Sequence, residues 1–118
     1  MLNQLVLVGR LVKEPELRES ENNVKFAYIT LAVPRSFKNS NGEYETDFID
    51  CILWDVIASN ANEYCHKGDI IGVRGRLQTR MVENKKEKTK QKILEVVCEK
   101  ISFLSSKKED EVEIEEAE

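Results

Sequence analysis

Apolar and polar side chains alternate with a period of two in five stretches of the chain and with a helical period in one. That pattern predicts five strands and a single short helix. Between Leu2 and Leu11, Leu5, Leu7, Gly9 and Leu11 alternate against Val6, Val8 and Arg10, with Gly9 marking a bend or a close backbone approach. Lys13-Glu14-Pro15-Glu16 breaks this strand, and the polar run from Glu19 to Asn23 makes a turn. A second strand, Val24 to Val33, sets Ala27, Ile29, Leu31 and Val33 against Phe26, Tyr28, Thr30 and Ala32. Pro34 should end its regular pairing, because it has no N–H to give to a ladder. Arg35 to Gly42 reads as a loop, with Asn41-Gly42 as its turn signal.

The third stretch, Thr46 to Val56, has two unlike faces. Ile49, Cys51 and Leu53 are small or aliphatic and suit a barrel core. Phe48, Asp50, Ile52, Trp54 and Val56 share the other face, which mixes the only Trp of the chain with a second ring and a charge. A face of that kind is rarely dry. From about Val56 the period lengthens, and Ile57, Ala61, Tyr64 and Cys65 fall on one helical face, which puts Tyr64 in the core. Lys67 and Gly68 supply a helix C-terminus. The fourth strand, Asp69 to Arg80, carries Ile71, Val73, Gly75, Leu77 and Thr79 on one side and Arg74, Arg76, Gln78 and Arg80 on the other. Five lysines within the eight residues 85–92 then form a hairpin arm. Ile93 to Leu104 is the fifth strand, in which Leu94, Val96 and Cys98 oppose Val97, Ile101 and Phe103 only loosely. Three strands, a helix and two strands is the element order of the OB-fold, an all-β, five-stranded Greek-key barrel with its helix between strands three and four.

Length and charge refine this picture. A chain of 118 residues suits one domain with one modest core. Its net charge of −4 is uneven, with 16 Lys/Arg against 15 Asp/Glu in residues 1–104 and 2 Lys against 7 Asp/Glu in residues 105–118. The first span is the expected domain and the second an expected disordered acidic tail, poor in anything that could pack. No apolar run approaches the roughly 20 residues of a membrane span, and Met1-Leu2-Asn3-Gln4 does not begin a leader, so a soluble cytoplasmic protein without a membrane partner is expected. Cys51, Cys65 and Cys98 are odd in number and contain no Cys-x-x-Cys pair, which argues against a disulfide framework or a zinc site.

Catalytic groups do not assemble. The single histidine, His66, follows Cys65 directly, and side chains of adjacent residues point different ways. Neither an enzyme nor a cofactor is expected. What does assemble is a set of rings and cations. Phe48 and Trp54 on one strand face, Phe37 in the loop before it and Tyr28 on the neighbouring strand make either a stacking platform or ordinary apolar filling. Arg74, Arg76 and Arg80, with Lys85, Lys86, Lys88, Lys90 and Lys92 on the arm, make either a phosphate-binding surface or a solvated one. Rings inside a basic groove are how proteins hold single strands without reading their sequence, so the two signals reinforce one another.

The residues also resemble the bacterial single-stranded-DNA-binding proteins, including phage and plasmid versions. Leu5-Val-Leu-Val-Gly9-Arg-Leu11, Pro15-Glu-Leu-Arg18, Leu31-Ala-Val-Pro-Arg35, Asp47-Phe48-Ile49, Lys67-Gly68 and Gly75-Arg-Leu-Gln-Thr-Arg80 carry the likeness in order along the chain. The resemblance implies an OB-fold homotetramer that wraps single-stranded DNA in replication, recombination and repair. It implies stacking by Phe37, Phe48 and Trp54, and phosphate contacts from Arg18, Arg35, Arg76 and Arg80. Arg10, Lys38 and the lysines of the arm join this set from the charge pattern. Two features depart from the family. Val82 stands where a fourth stacking ring is usual. The acidic end, Glu115-Glu-Ala-Glu118, follows the barrel without a linker and lacks the Pro-Phe tip by which relatives recruit replication and recombination proteins. Removing residues 105–118 should tighten DNA binding at low salt, if the tail competes for the groove. Two rival functions share the barrel: a replication-restart accessory resembling the primosomal protein, and an RNA-binding module.

Overall fold

The computed structural model describes residues 1–105, so the expected tail lies outside the described residues except for Ser105. Strands β1 (Leu5–Leu11), β2 (Glu16–Glu19), β3 (Lys25–Lys38) and β4 (Tyr44–Trp54) lead to helix α1 (Asp55–Tyr64), which is followed by β5 (Ile70–Asn84) and β6 (Thr89–Ser105). The sheet runs β1-β5-β6-β4-β3, and a β1–β3 pairing closes it into a five-strand barrel. Every pairing is antiparallel except β4 with β6. This is the expected OB-fold, with one addition. Glu16–Glu19 resumes where Lys13–Pro15 interrupts and pairs with the edge of β3 that β1 has left. All four of its residues are exposed, so no apolar alternation announced it.

The inward face of β3 is the expected one, with Ala27, Ile29 and Leu31 fully buried. They pack with Cys51 and Leu53 of β4, Ile71 and Val73 of β5, Val96 and Cys98 of β6, and Leu11 of β1. Burial of such side chains supplies most of the folding free energy, each Leu, Ile or Val contributing about 1.5–3 kcal/mol. Two glycines let strands cross closely. A Cβ on Gly9 would lie 2.8 Å from the Ala32 carbonyl oxygen, and one on Gly75 would fall on the carbonyl of Val97. The loose period of β6 has a simple cause. Gly75 pairs with Cys98 but Arg74 with Lys100, which leaves Glu99 as a bulge. The extra residue resets the alternation, so Ile101 returns to the side of Cys98 and packs on the core.

Several boundaries shift. Regular β3–β4 pairing does stop after Pro34, yet the strand continues through an irregularity to Lys38, and only 39–43 form the loop. The helix begins at Asp55, so Val56 belongs to its first turn and not to the strand. Asp55 has φ 52°, the left-handed region, which turns the chain sharply as it leaves β4. The core side of α1 is Ala58 and Ala61, continued by Cys65, and Tyr64 is exposed. The expectation for Tyr64 fails because its end of the helix face is not covered: the ring lies at the rim of an open recess shared with Ile57 and Phe103. Gly68, at φ 94°, belongs to the following turn, where Gly68 N–H donates to Leu11 O and Leu11 N–H to Asp69 O. The Asp69 side chain accepts from the His66 N–H at 2.8 Å and so ties that turn shut.

Candidate nucleic-acid interface

Strand register decides which side chains meet outside the barrel. Tyr28 of β3 pairs with Ile52 of β4 and with Glu16 of β2, while Ile52 pairs with Val97 of β6 and Val97 with Arg76 of β5. One row therefore crosses five strands: Glu16, Tyr28, Ile52, Val97, Arg76. Beside it lies the row Arg18, Phe26, Trp54, and on its other side Thr30 pairs with Asp50 and Gln78 with Glu95. Beyond these, Arg10 pairs with Ala32 and Ala32 with Phe48. Ile52 and Val97 are buried although they face away from the core. They form an apolar floor, and the rings and arginines rise around it.

The rings form a contact series. Phe26 and Trp54 have centroids 5.5 Å apart at 42°, and Phe26 meets Tyr28 edge-on at 5.9 Å. Phe26 is the member that the strand pattern did not single out. It shares the face of Tyr28 in the sequence, but only the Phe26–Trp54 pairing makes it the centre of the wall. Trp54 is 39% exposed and Phe48 66%, so both residues are open to solvent. Phe48 sits apart from the wall, in the row of Arg10. Phe37, 65% exposed, lies past the irregularity near the far end of β3, on an arm that reaches beyond the barrel.

The cations divide between the groove and its arms. Arg18 is on the wall, donating to Glu16 at 2.7 Å. Arg76 flanks the floor and donates to Gln78 at 2.9 Å. Arg80 donates to Glu95 at 3.1 Å and to the Tyr28 hydroxyl at 3.3 Å, which joins β5 to the ring wall. Arg10 donates to Gly68 O at 2.6 Å and lines a shallow recess with Lys67. On the β3–β4 arm, Lys38 lies 5.7 Å above the Tyr44 ring, and Arg35 donates to Glu45 at 2.6 Å and to Asp47 at 2.9 Å. That hydrogen bond holds the Asp47 carboxyl below its ordinary value and raises the guanidinium. Lys85, Lys86 and Lys88 occupy the exposed tip of the β5–β6 hairpin, as expected of the lysine arm. Arg74 is not among these groups. Register puts it opposite Val6 of β1 and Lys100 of β6, on the barrel wall that carries the exposed Val6 and Val8. Val82 sits on the hairpin across from Gln91, and no ring replaces it there.

Cys65 is buried, and burial raises its thiol above the ordinary value, with the Asp69 charge adding to the effect. His66 turns outward, its Nδ1 3.4 Å from Glu14. The two groups form no dyad. Among the described residues no cluster of His, Cys, Asp or Glu is arranged to hold a metal, and no helix is long and apolar enough to cross a membrane.

A closed five-strand barrel with rings and arginines gathered on one exposed face, and two long arms beside it, is an oligonucleotide-binding barrel in its architecture. Its family is more specific: the chain belongs to the Single-strand binding protein family, which it matches over residues 2–104. It is 46% identical over 107 residues to single-stranded DNA-binding protein B of Bacillus subtilis, covering 91% of this chain and 94% of that one. It is 49% identical over 111 residues to single-stranded DNA-binding protein 1 of Staphylococcus aureus strain MSSA476, covering 94% of this chain and 70% of that one. Among solved structures, the Plasmodium falciparum SSB complex with ssDNA superposes with a TM-score of 0.77 at 25% identity, over 89% of this chain and 96% of that one.

Proposed function

We propose that this protein binds single-stranded DNA without reading its sequence and protects it during replication, recombination and repair. The observation that carries this reading is the ring wall of Tyr28, Phe26 and Trp54 standing beside an apolar floor, with Arg18, Arg76 and Arg80 around it. Bases stack on the wall and on Phe48, each contact worth about 1–3 kcal/mol and indifferent to base identity. Phosphates are carried by the groove arginines, by Arg10, and by Arg35, Lys38, Lys85, Lys86 and Lys88 along the arms. Phe37 extends the stacking surface onto the β3–β4 arm. Several of these arginines already hold carboxylates, so binding exchanges a carboxylate for a phosphate.

The protein works stoichiometrically in the cytoplasm, neither as a catalyst nor with a cofactor. It assembles with copies of itself, as a tetramer by the family resemblance. Supporting this, Leu5 to Gly9 of β1 pair with β5 on one edge only, and Val6 and Val8 are 68% and 52% exposed beside that edge. Poly-dT should quench Trp54 fluorescence, and the affinity should fall steeply with salt. Equal affinity for duplex DNA would overturn the reading. Light-scattering mass separates a tetramer from the dimer expected of a restart accessory, and matched DNA and RNA oligomers in competition separate the RNA-binding alternative.

A further inference from the structure

The ring series on β4 does not stop at Phe48. The pleat sets Tyr44, Thr46, Phe48, Asp50, Ile52 and Trp54 on one side of the strand. The irregularity beyond Pro34 leaves that alternation intact, because its extra residues belong to β3. Four steps from Pro34 to Lys38 face only two from Thr46 to Tyr44. Tyr44 therefore lies on the side of Phe48, about 13 Å further along at roughly 3.3 Å per residue. It is 60% exposed. Among the described residues its hydroxyl makes no hydrogen bond and its ring meets no other ring. What the ring does meet is the Lys38 ammonium, 5.7 Å from its centroid.

The two cations of this arm are committed differently. Arg35 is held by Glu45 and Asp47, which alternate to the opposite side of β4 from Tyr44. Lys38 is exposed and, among the described residues, pairs with no carboxylate. Its hold on the ring is of the weak kind found at exposed sites, so the ammonium is free to pass to a phosphate while a base takes the ring. We propose that Tyr44 and Lys38 form a further nucleotide subsite on the β3–β4 arm, Tyr44 stacking a base and Lys38 carrying the phosphate beside it. This rests on the single-strand-binding reading and extends its track of bases from the barrel onto the arm. The β5–β6 arm has no ring from Met81 to Lys92, so the two arms divide the work. One stacks and neutralises, and the other only neutralises.

The test compares labelled oligo-dT with an abasic oligomer of the same length, a deoxyribose-phosphate chain without bases, at low salt. Both are titrated against the full chain and its Tyr44→Ala, Tyr44→Phe and Lys38→Gln variants. Tyr44→Ala should weaken oligo-dT binding roughly tenfold, within the range for one stacked base, and leave the abasic oligomer unchanged. Tyr44→Phe, which keeps the ring, should bind oligo-dT as the unaltered chain does. Lys38→Gln should weaken both oligomers and lower the slope of log affinity against log salt by about 0.7, the loss of one phosphate contact. Equal losses on the two oligomers in Tyr44→Ala, or no loss on either, would overturn the subsite, as would a Tyr44→Phe variant as weak as Tyr44→Ala. Absence of oligo-dT binding by the unaltered chain would instead overturn the single-strand reading itself, and this inference with it.

Discussion

Arg80 and Glu95 form an unequal pair: the guanidinium is 42% exposed, while the carboxylate that accepts from it at 3.1 Å is only 7% exposed. The cation is the partner free to leave. When a phosphate draws Arg80 away, the carboxylate stays behind, poorly solvated, so part of the phosphate interaction is offset at once.

Two variants at this pair should therefore behave oppositely. Arg80→Ala leaves the Glu95 carboxylate unpaired and should cost about 1–3 kcal/mol of stability together with affinity for oligo-dT. Glu95→Gln keeps the shape, frees Arg80, and should leave the affinity equal or higher at a stability cost of about 1 kcal/mol. Urea unfolding and oligo-dT titration, run on both variants, check the contrast.

Ring contacts predict which stacking losses add. Trp54→Ala should cost about 1–3 kcal/mol of binding free energy without unfolding the barrel, and Phe48→Ala a similar amount. Phe48 and Trp54 lie roughly 20 Å apart along one strand, so the double loss should be additive. Phe26 touches Trp54, so Phe26→Ala with Trp54→Ala should cost less than the sum of the two singles. Double-mutant cycles by fluorescence anisotropy settle both statements.

Backbone crossings predict a steep contrast between glycines. Gly75→Ala drives a methyl group onto the Val97 carbonyl and should destabilise the fold by about 3 kcal/mol or more. At Gly72 the nearest atom to an added Cβ is 3.7 Å away, ordinary contact, and Gly72→Ala should fold normally. Thermal unfolding of the two proteins provides the comparison.

Buried thiols set an alkaline limit. Burial pushes Cys51 up to about 12, and Cys98 up to about 11, from an ordinary value of 9.0. A group whose folded value is raised holds its proton longer in the folded state than in the unfolded one. Its stabilising contribution is complete below the unfolded value and is lost as pH rises through the window between the two. Stability should thus decline above about pH 9, and more gently in Cys51→Ala/Cys98→Ala. Urea midpoints between neutral pH and pH 11 measure the slope.

The lysine tip should act through salt more than through fit. Replacing Lys85, Lys86 and Lys88 by glutamine should lower the slope of log affinity against log salt by up to about 2, since each phosphate contact contributes about 0.7 on single strands. Salt-dependent titrations with oligo-dT report the change, and the fold should be unaffected because all three are exposed.

How far the sequence revealed this arrangement depended on whether a residue obeyed a local rule. Ala27, Ile29 and Leu31 did, and the core side of β3 followed from their spacing. Asn41-Gly42 and the lysine run each marked a hairpin end. Phe26 escaped because its importance lies in its pairing with Trp54, and register across strands so far apart in sequence is not written in either strand alone. Tyr64 misled because helical spacing identifies a face but not whether another element covers that face along its whole length. Arg74 alternates with Arg76 along β5, yet their cross-strand partners differ, and the barrel's curvature takes them to different surroundings. Ile52 reversed the expectation for its face: it is buried between its cross-strand neighbours Tyr28 and Val97.

The bulge at Glu99 resets the reading frame of β6, and a second irregularity, which skips Leu104 between Phe103 and Ser105, resets it again near the end. Val96 and Cys98, before Glu99, point inward. After it the phase is reset, so that Ile101 can seal the same core. Glu99 itself is exposed and unpaired in the ladder with β5, so the chemistry of its side chain matters little to the barrel. Its presence as a spacer matters a great deal. Deleting it would slide Lys100 to Phe103 out of phase, turning polar groups inward and Ile101 outward, whereas almost any substitution would keep the count. At this position the fold constrains the length of the chain and leaves its spelling open.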